Sequence, residues 1–361
     1  DSVTKLMLRE IEKVGKKLVR ENAEKINFIR DKVKTFCIKV KEFTSASYSG
    51  IHFEHYKAGV DSDMILEVLV NQLNLTCKTG RPPERWGTGL RILPEKVAGE
   101  CLISKLRAIQ LYEADFNFFN QFFFGYKALE ALRKIDVMGG ELYGRRECTA
   151  EDAKFDKTRT VDVSRKLRHP IVIMSVDAAN CYDRVNHVVM SLLWLALLKG
   201  FRPPIQAALR SLQHMKFHQR TGFGDSTSFF SCNGDKYFMG LGQGSRAAPA
   251  AWCQLSTVVN IVFKDNAKGS TMISPISRKC ISSMGISYVD DTDLICWNED
   301  ATSLSQVVEA AQSDICLWGD LLRPTGGDFK IAQCFFYAVD YSCSNGTWSF
   351  SSSDNTRLQV F

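Results

Sequence analysis

Two adjacent aspartates, Asp290 and Asp291, interrupt a stretch of apolar and β-branched residues that runs from 286 to 295. Such residues on both sides of a polar pair predict a β-hairpin with the carboxylates at its turn. Neighbouring carboxylates repel each other, and the flanking strands would remove part of their hydration, so the pair needs a compensating cation. A divalent metal ion suits this chemistry. The alternative is a solvated turn, because aspartate favours turns in any protein.

A third carboxylate, Asp177, follows the nearly continuous apolar run 171–176, which predicts a buried central strand. The end of a buried strand is a common position for a functional side chain. Farther along, the glycine-rich loop 240–249 precedes a helix predicted over 250–264. Its glycines would let the backbone approach a ligand closely.

Short apolar runs within 86–111 predict a β-hairpin that carries several cations. On an alternating strand, Lys105 and Arg107 would point to the same face of the sheet. Two neighbouring cations can clamp a triphosphate. A plain solvated strand face is the alternative.

Hydrophobic periodicity and turn residues predict the remaining elements. Helices are expected at 3–43, 61–73, 116–132, 150–165, 185–198 and 302–322, and strands at 212–222 and 331–341. The helix at 116–132 is rich in phenylalanine, which predicts that it is buried. Thr149 is expected to cap the helix that begins at 150.

The composition of the 361 residues, 45% hydrophobic and 24% charged, is that of a soluble globular protein of one large or two ordinary domains. The net charge of +6 suits a polyanionic partner. No apolar run approaches the roughly 18 residues of a membrane span, so no membrane partner is expected. The twelve cysteines include no Cys-x-x-Cys pair, which favours free thiols in a reducing, intracellular compartment. Because Asp1 is not an initiator methionine, we expect the chain to be a piece of a longer protein.

Taken in order, the strand ending in a carboxylate, the glycine-rich loop with its helix, and the Asp-Asp hairpin resemble the palm of a reverse transcriptase. The resemblance covers about 86–341 and is nearest to enzymes of eukaryotic retroelements without long terminal repeats. Its residues are Tyr288-Val289-Asp290-Asp291, Asp177 with Tyr182, and Gln243-Gly244 before Pro249.

The resemblance implies an α+β fold with the palm and fingers of a right-hand polymerase, an antiparallel palm sheet backed by helices, and an absent or incomplete thumb. The domains expected on this basis are an N-terminal helical extension (1–80), fingers (81–165), a palm (166–345) and a frayed tail (346–361).

The activity implied is that of an RNA-directed DNA polymerase of a retrotransposon, a nucleotidyltransferase that adds dNTPs to a primer 3′-hydroxyl by two-metal phosphoryl transfer. Asp177, Asp290 and Asp291 would bind two Mg²⁺ ions, for which Mn²⁺ can substitute. The partners would be an RNA template, a DNA or RNA primer, and dNTPs.

Further roles are implied for residues that match the family's motifs. The dNTP contacts would be Lys105, Arg107, Tyr182 and Gln243, and the template or primer contacts would be Tyr143, Gly144, Arg145, Gly244 and Tyr288. An aromatic ring at Tyr182 would clash with a ribose 2′-hydroxyl and so select deoxynucleotides; ordinary core packing is its alternative.

One departure from the family concerns the general acid. Relatives usually place a lysine at the start of the last palm strand, where Gln333 stands here, and Lys330 is the candidate substitute. Two other functions stay open: an RNA-dependent RNA polymerase, and a catalytically decayed palm domain that only binds nucleic acid or a protein partner.

Overall fold

The computed structural model describes residues 2–18, 27–40, 47–143, 145, 148–232, 236–273, 276–298 and 303–352. The chain divides into two compact units. The first, which we call the carboxylate unit, comprises Asp1–Lys13, Asp136–Cys181 and Trp252–Phe361. The second, which we call the aromatic unit, comprises Val14–Ile135 and Tyr182–Ala251.

The elements are numbered along the chain. The helices are α1 (Ser2–Lys17), α2 (Arg30–Lys39), α3 (Phe53–Gly59), α4 (Asp63–Thr79), α5 (Ala114–Asn120), α6 (Ala128–Lys134), α7 (Ala150–Leu167), α8 (Cys181–Arg184), α9 (His187–Leu197), α10 (Arg202–Gln213), α11 (Ala248–Asn266) and α12 (Leu304–Thr325). The strands are β1 (Thr88–Ile92), β2 (Ile109–Leu111), β3 (Leu142–Tyr143), β4 (Ile171–Asp177), β5 (Lys216–Thr221), β6 (Gly224–Phe230), β7 (Ser270–Ile273), β8 (Cys280–Ser283), β9 (Gly285–Tyr288), β10 (Asp291–Asn298), β11 (Phe335–Ser344) and β12 (Thr347–Ser352).

The carboxylate unit is built on one sheet with the strand order β12-β11-β4-β10-β7-β8, to which β9 is added at β10 and β3 at β9. Most neighbours are antiparallel; β10 with β7 and β3 with β9 are parallel. The apolar sequence of β4 leaves it buried on both faces. Ile173 of β4 packs with Ile295 and Trp297 of β10 and with Ala153 of α7, while α12 packs against β4 and β10. The apolar core therefore fixes both strands.

The aromatic unit has a smaller sheet with the strand order β2-β1-β5-β6. Between α5 and α6, residues Gln121–Lys127 form a π-helical segment, so the phenylalanine-rich stretch is one continuous helical rod. Phe116, Phe119, Phe123 and Phe124 in this rod are buried, as the sequence predicts.

Antiparallel strand pairs beside helices confirm the expected α+β class. Several finer predictions are also confirmed. Asp177 ends a buried strand, and Thr149 caps α7 by accepting a hydrogen bond from the Asp152 backbone N–H at 3.3 Å. Among the described helices, none has the length and apolar character needed to cross a membrane.

The predicted strand through Lys105 and Arg107 is wrong. Residues Ile103–Lys105 form a single 3-10 turn, and the strand begins only at Ile109. The apolar residues that suggested a strand are not buried, since Leu102 and Ile103 are 67% and 81% exposed. The common face expected for the two cations therefore does not exist.

Two predicted boundaries are also wrong. The helix predicted over 3–43 is interrupted, because α2 begins only after Ile29, whose backbone is extended. The strand predicted over 331–341 begins at Phe335, after a 3-10 turn at Ile331–Gln333.

The tail expected to be frayed contains β12, which pairs with β11. Asn345 and Gly346 link the two strands with φ angles of 51° and 76°. Positive φ at both central residues is the geometry that Asn-Gly favours in a two-residue hairpin. The Asn-Gly pair is the sequence signal from which this hairpin could have been predicted.

A buried ionic cluster stabilises the aromatic unit. Arg85 Nη1 lies 3.0 Å from Glu113 Oε2 and 2.7 Å from Asp115 Oδ1, and Nη2 also contacts Asp115. Trp86 Nε1 donates a hydrogen bond to Asp115 at 2.9 Å. Both carboxylates are buried, so they depend on the guanidinium for compensation.

Replacing Arg85 with methionine should therefore lower the free energy of unfolding by about 3–5 kcal/mol, because two buried carboxylates would lose their counter-charge. Urea denaturation measures the change. Arg81→Met, at an exposed position, is the matched control and should change the value by less than about 0.5 kcal/mol. Equal stability of Arg85→Met and the parent would contradict the prediction.

Candidate functional site

The pairing of β4 with β10 brings the sequence-predicted carboxylates together. Asp177 lies directly opposite Asp291 in the antiparallel register, and the backbone N–H of Ala178 donates to the Asp290 carbonyl at 3.3 Å. Residues opposite each other in such a pair have Cβ atoms about 4.5–5.5 Å apart. Because Asp290 occupies the turn between β9 and β10, three carboxylates gather at one end of the sheet.

The turn itself is held in an unusual conformation. Val289 has a φ of 59°, in the left-handed region that β-branched residues rarely adopt. Trp252 Nε1 on α11 donates a hydrogen bond to the Val289 carbonyl at 2.6 Å. A strained residue persists only where its surroundings fix it, and such residues cluster at functional sites.

Burial and neighbouring like charges both act on the carboxylates of the cluster. Burial raises the pKa of Asp290, and the nearby Asp177 carboxylate adds to the rise. The pKa of Asp291 is raised first by burial and then by Asp290, Asp177 and Asp293. Both shifts mean that the ionised cluster is unfavourable by itself and would be relieved by a cation.

Lys330 is the first cation beside this cluster. Its backbone N–H donates to the Asp177 carbonyl at 2.9 Å, and its Nζ lies 3.8 Å from Asp177 Oδ2. The pairing of Ala178 with Phe329 carries Lys330 to this position. Gln333, in contrast, lies in the 3-10 turn that follows.

Lys157 is a second cation, which sequence reasoning missed. It lies on α7, and its Nζ is 2.8 Å from Asp293 Oδ2. Asp293 is two residues beyond Asp291 on β10 and so shares its face of the strand. Nothing local signals this contact, because it joins residues 136 positions apart.

The donor set suits Mg²⁺, which prefers a few carboxylate oxygens and retains water or phosphate at its other positions. The cluster offers Asp177, Asp290 and Asp291, and the pKa values of the latter two are raised first by burial and then by neighbouring carboxylates whose charge a cation would neutralise. Over the described ranges, however, no group of three or more His, Cys, Asp or Glu side chains is arranged around one metal position. The chemistry of the donors fits a metal ion, and the arrangement of their oxygen atoms is not that of a formed coordination sphere.

Two of the expected template or primer contacts lie side by side. Tyr143 of β3 is opposite Tyr288 of β9 in the parallel register. The Tyr143 hydroxyl donates to Asp156, and its pKa is raised by burial and by that carboxylate. Tyr288 is 37% exposed. Arg145 pairs with Cys148 through an isolated β-bridge, and Gly144 lies outside the described residues.

In the aromatic unit, Tyr182 and Gln243 belong to one hydrogen-bonded group. Leu241 N donates to the Tyr182 carbonyl at 2.7 Å, and Gln243 Nε2 donates to Asp183 Oδ2 at 3.4 Å. Burial raises the pKa of Asp183. The structure thus brings together two of the four expected dNTP contacts.

Within the aromatic unit, Gln110 forms a hydrogen bond with the glycine-rich loop. Gln243 N donates to Gln110 Oε1 at 2.9 Å. A Cβ at Gly244 would overlap the Gln110 carbonyl, so the loop requires glycine there. The other two expected dNTP contacts are exposed: Lys105 ends the 3-10 turn, and Arg107 follows it.

Comparison with known proteins does not assign this chain to a family. No protein-family model matches the chain, and no curated protein is significantly similar to it. A function has to be argued from the site and from the sequence motifs.

The raised pKa of Asp290 predicts a pH-dependent gain on substitution. The pKa of Asp290 in the folded protein lies above the ordinary value of 3.8 that applies in the unfolded chain. Ionising this carboxyl group at neutral pH therefore destabilises the folded state relative to the unfolded state. Asp290→Asn should therefore be more stable than the parent at pH 7 without divalent ions, and the gain should vanish as the pH falls towards 3.8. Urea denaturation across this pH range, in a chelator, measures it.

Asp162→Asn is the control, because the Asp162 side chain on α7 is half-exposed and pairs with Arg165 at 3.3 Å. It should give no gain at pH 7. A parent more stable than Asp290→Asn at neutral pH would show that the site does not carry crowded charge.

The strain at Val289 gives a second prediction. Glycine adopts a φ of 59° without a steric cost, whereas alanine does not. Val289→Gly should therefore be about 1 kcal/mol more stable than Val289→Ala, as measured by urea denaturation. A more stable alanine variant would mean that the turn relaxes to another conformation.

Proposed function

We propose that this chain is an RNA-directed DNA polymerase and that the carboxylate unit contains the catalytic part of its palm. The observation that carries the proposal is the register of β4 and β10, in which Asp177 faces Asp291 with Asp290 in the adjoining turn. The largely antiparallel sheet, with α12 packed against β4 and β10, is consistent with a palm. The fingers at 81–165, the palm at 166–345 and the absent or incomplete thumb are also part of the proposal.

On this proposal, Asp177, Asp290 and Asp291 hold two Mg²⁺ ions. Bound there, Mg²⁺ would supply the charge neutralisation that phosphoryl transfer needs. The protein's own contribution is to fix the carboxylates on rigid strands, with Trp252 holding the turn. Lys330, beside Asp177, is the candidate proton donor to the leaving group.

The other motif residues have proposed roles in binding substrates. Tyr182 and Gln243 would contact the incoming dNTP, and Tyr143 and Tyr288 would contact the template or primer. Lys105 and Arg107 are exposed and remain candidates for the triphosphate. The template would be RNA, and the enzyme would act inside the cell.

A second candidate is a nucleic-acid-binding domain without synthesis. Two observations favour it: the described carboxylates are not arranged around one metal position, and Lys330 already lies 3.8 Å from Asp177. An ammonium group in that place can compensate part of the negative charge.

Primer extension on an RNA template with Mg²⁺ separates the two candidates. The parent should extend the primer with dNTPs, and the Asp290→Asn/Asp291→Asn double variant should be slower by at least about a hundredfold, because metal-ion stabilisation is worth several kcal/mol. Asp162→Asn should match the parent.

Equal rates, or equal inactivity, of the parent and the double variant would favour the non-synthetic domain. A strong preference for rNTPs over dNTPs would instead favour an RNA-dependent RNA polymerase and would contradict the role given to Tyr182.

A further inference from the structure

A groove of about 520 Å³ lies in the aromatic unit between α2 and the π-helical segment Gln121–Lys127. Its volume lies in the range of ligand-binding pockets. Phe36, Phe122 and Tyr126 contribute aromatic rings to its lining. It contains none of the residues assigned above to catalysis or substrate binding.

The rings are accessible and firmly supported. Tyr126 is 57% exposed, and Phe36 and Phe122 are half-buried. Phe36 stacks on Phe118 with centroids 4.1 Å apart, and Phe122 packs on Phe28 at 4.4 Å. The groove therefore presents ring surfaces held by a packed aromatic core.

Cations surround these rings. Lys32 and Lys39 are exposed on α2 and line the groove, together with one carboxylate, Asp31. Lys127 Nζ lies 5.8 Å from the centroid of the Tyr126 ring. With two lysines against one aspartate, the lining has a net charge of +1, a sign that suits a polyanion.

Arg246 contacts two residues of the groove lining and itself lines a neighbouring cavity of about 240 Å³. Its guanidinium lies 4.3 Å over Phe53 and 5.9 Å over Phe36, and Nη1 lies 3.4 Å from Gln121 Oε1. Burial lowers its pKa, and within the described part of the chain no carboxylate opposes that shift. A half-buried guanidinium is costly unless a counter-charge compensates it, and the phosphate of a bound strand would supply that charge.

We propose that this groove binds single-stranded nucleic acid, with bases stacked on Tyr126 and its neighbouring rings and a backbone phosphate paired with Arg246. Stacking rings beside a basic track are the means by which proteins bind single strands without sequence preference. A duplex is disfavoured because its base faces are already stacked. The inference goes beyond the polymerase proposal, because this binding needs neither divalent metal ions nor nucleotides.

The test is fluorescence anisotropy of a labelled 20-nucleotide oligo(dT) or oligo(U), in a chelator and at several salt concentrations. Tyr126→Leu should weaken binding about tenfold, because a stacking surface is lost. Tyr126→Phe keeps the ring and should bind like the parent. Since Tyr126 is exposed, both variants should fold.

Arg246→Gln should also weaken binding about tenfold and should reduce the slope of log affinity against log salt by about 0.7. Arg210→Gln, which removes an exposed arginine from α10, is the matched control and should do neither. Urea midpoints check that each variant is folded. Because the assay contains a chelator and no nucleotides, no polymerisation takes place in it, which separates this site from the polymerase proposal.

Three outcomes would overturn the inference. One is unchanged affinity of Tyr126→Leu, which would leave no role for stacking. Another is an equal loss in Arg210→Gln and Arg246→Gln, which would indicate diffuse charge. The third is equal competition by a blunt duplex of the same length, which would indicate binding to backbone alone.

Discussion

The register between β4 and β10 is the constraint on which the candidate site depends. In an antiparallel pair, a shift of one residue turns every side chain to the other face of the sheet. The same register that sets Asp177 opposite Asp291 sets Ile173 opposite Ile295, which pack with Ala153 of α7. A slipped pairing would therefore lose the apolar cluster and the carboxylate cluster together. Packing of the apolar core contributes much more free energy than the contacts among the carboxylates. Core packing thus fixes the positions of the carboxylates at the end of the sheet.

This carboxylate end of the sheet, unlike the rest of the unit, contains two features that destabilise the folded state. Carboxylates crowd together with raised pKa values, and Val289 adopts a left-handed conformation held by Trp252. Each feature costs stability, and both occur at one turn. Folded proteins tolerate such local conflicts mainly at functional sites. Their coincidence is a stronger argument for function than either one alone, because like-charge repulsion and backbone strain have independent physical causes.

Whether a feature could be predicted from the sequence depends on how far apart along the chain the residues that signal it lie. The buried strand before Asp177, the Asp-Asp hairpin and the Thr149 cap each have a sequence signal that lies within a few residues, and all three were predictable. The turn at Lys105 was not, because apolar residues there are exposed and the pattern implied burial. The ion pair of Lys157 with Asp293 was equally hidden, since only the packing of α7 brings those residues together.

On the proposed function, Lys330 would let the carboxylate cluster serve both folding and catalysis. Its Nζ lies 3.8 Å from Asp177 Oδ2, and its side chain is 47% exposed. An ion pair this accessible is worth about 1 kcal/mol or less, so a divalent ion could displace it at little cost. The backbone hydrogen bond to Asp177 would keep the residue in place when its ammonium group moves. A lysine that offsets the like charges before metal binding would then be free, beside the same carboxylates, to donate a proton.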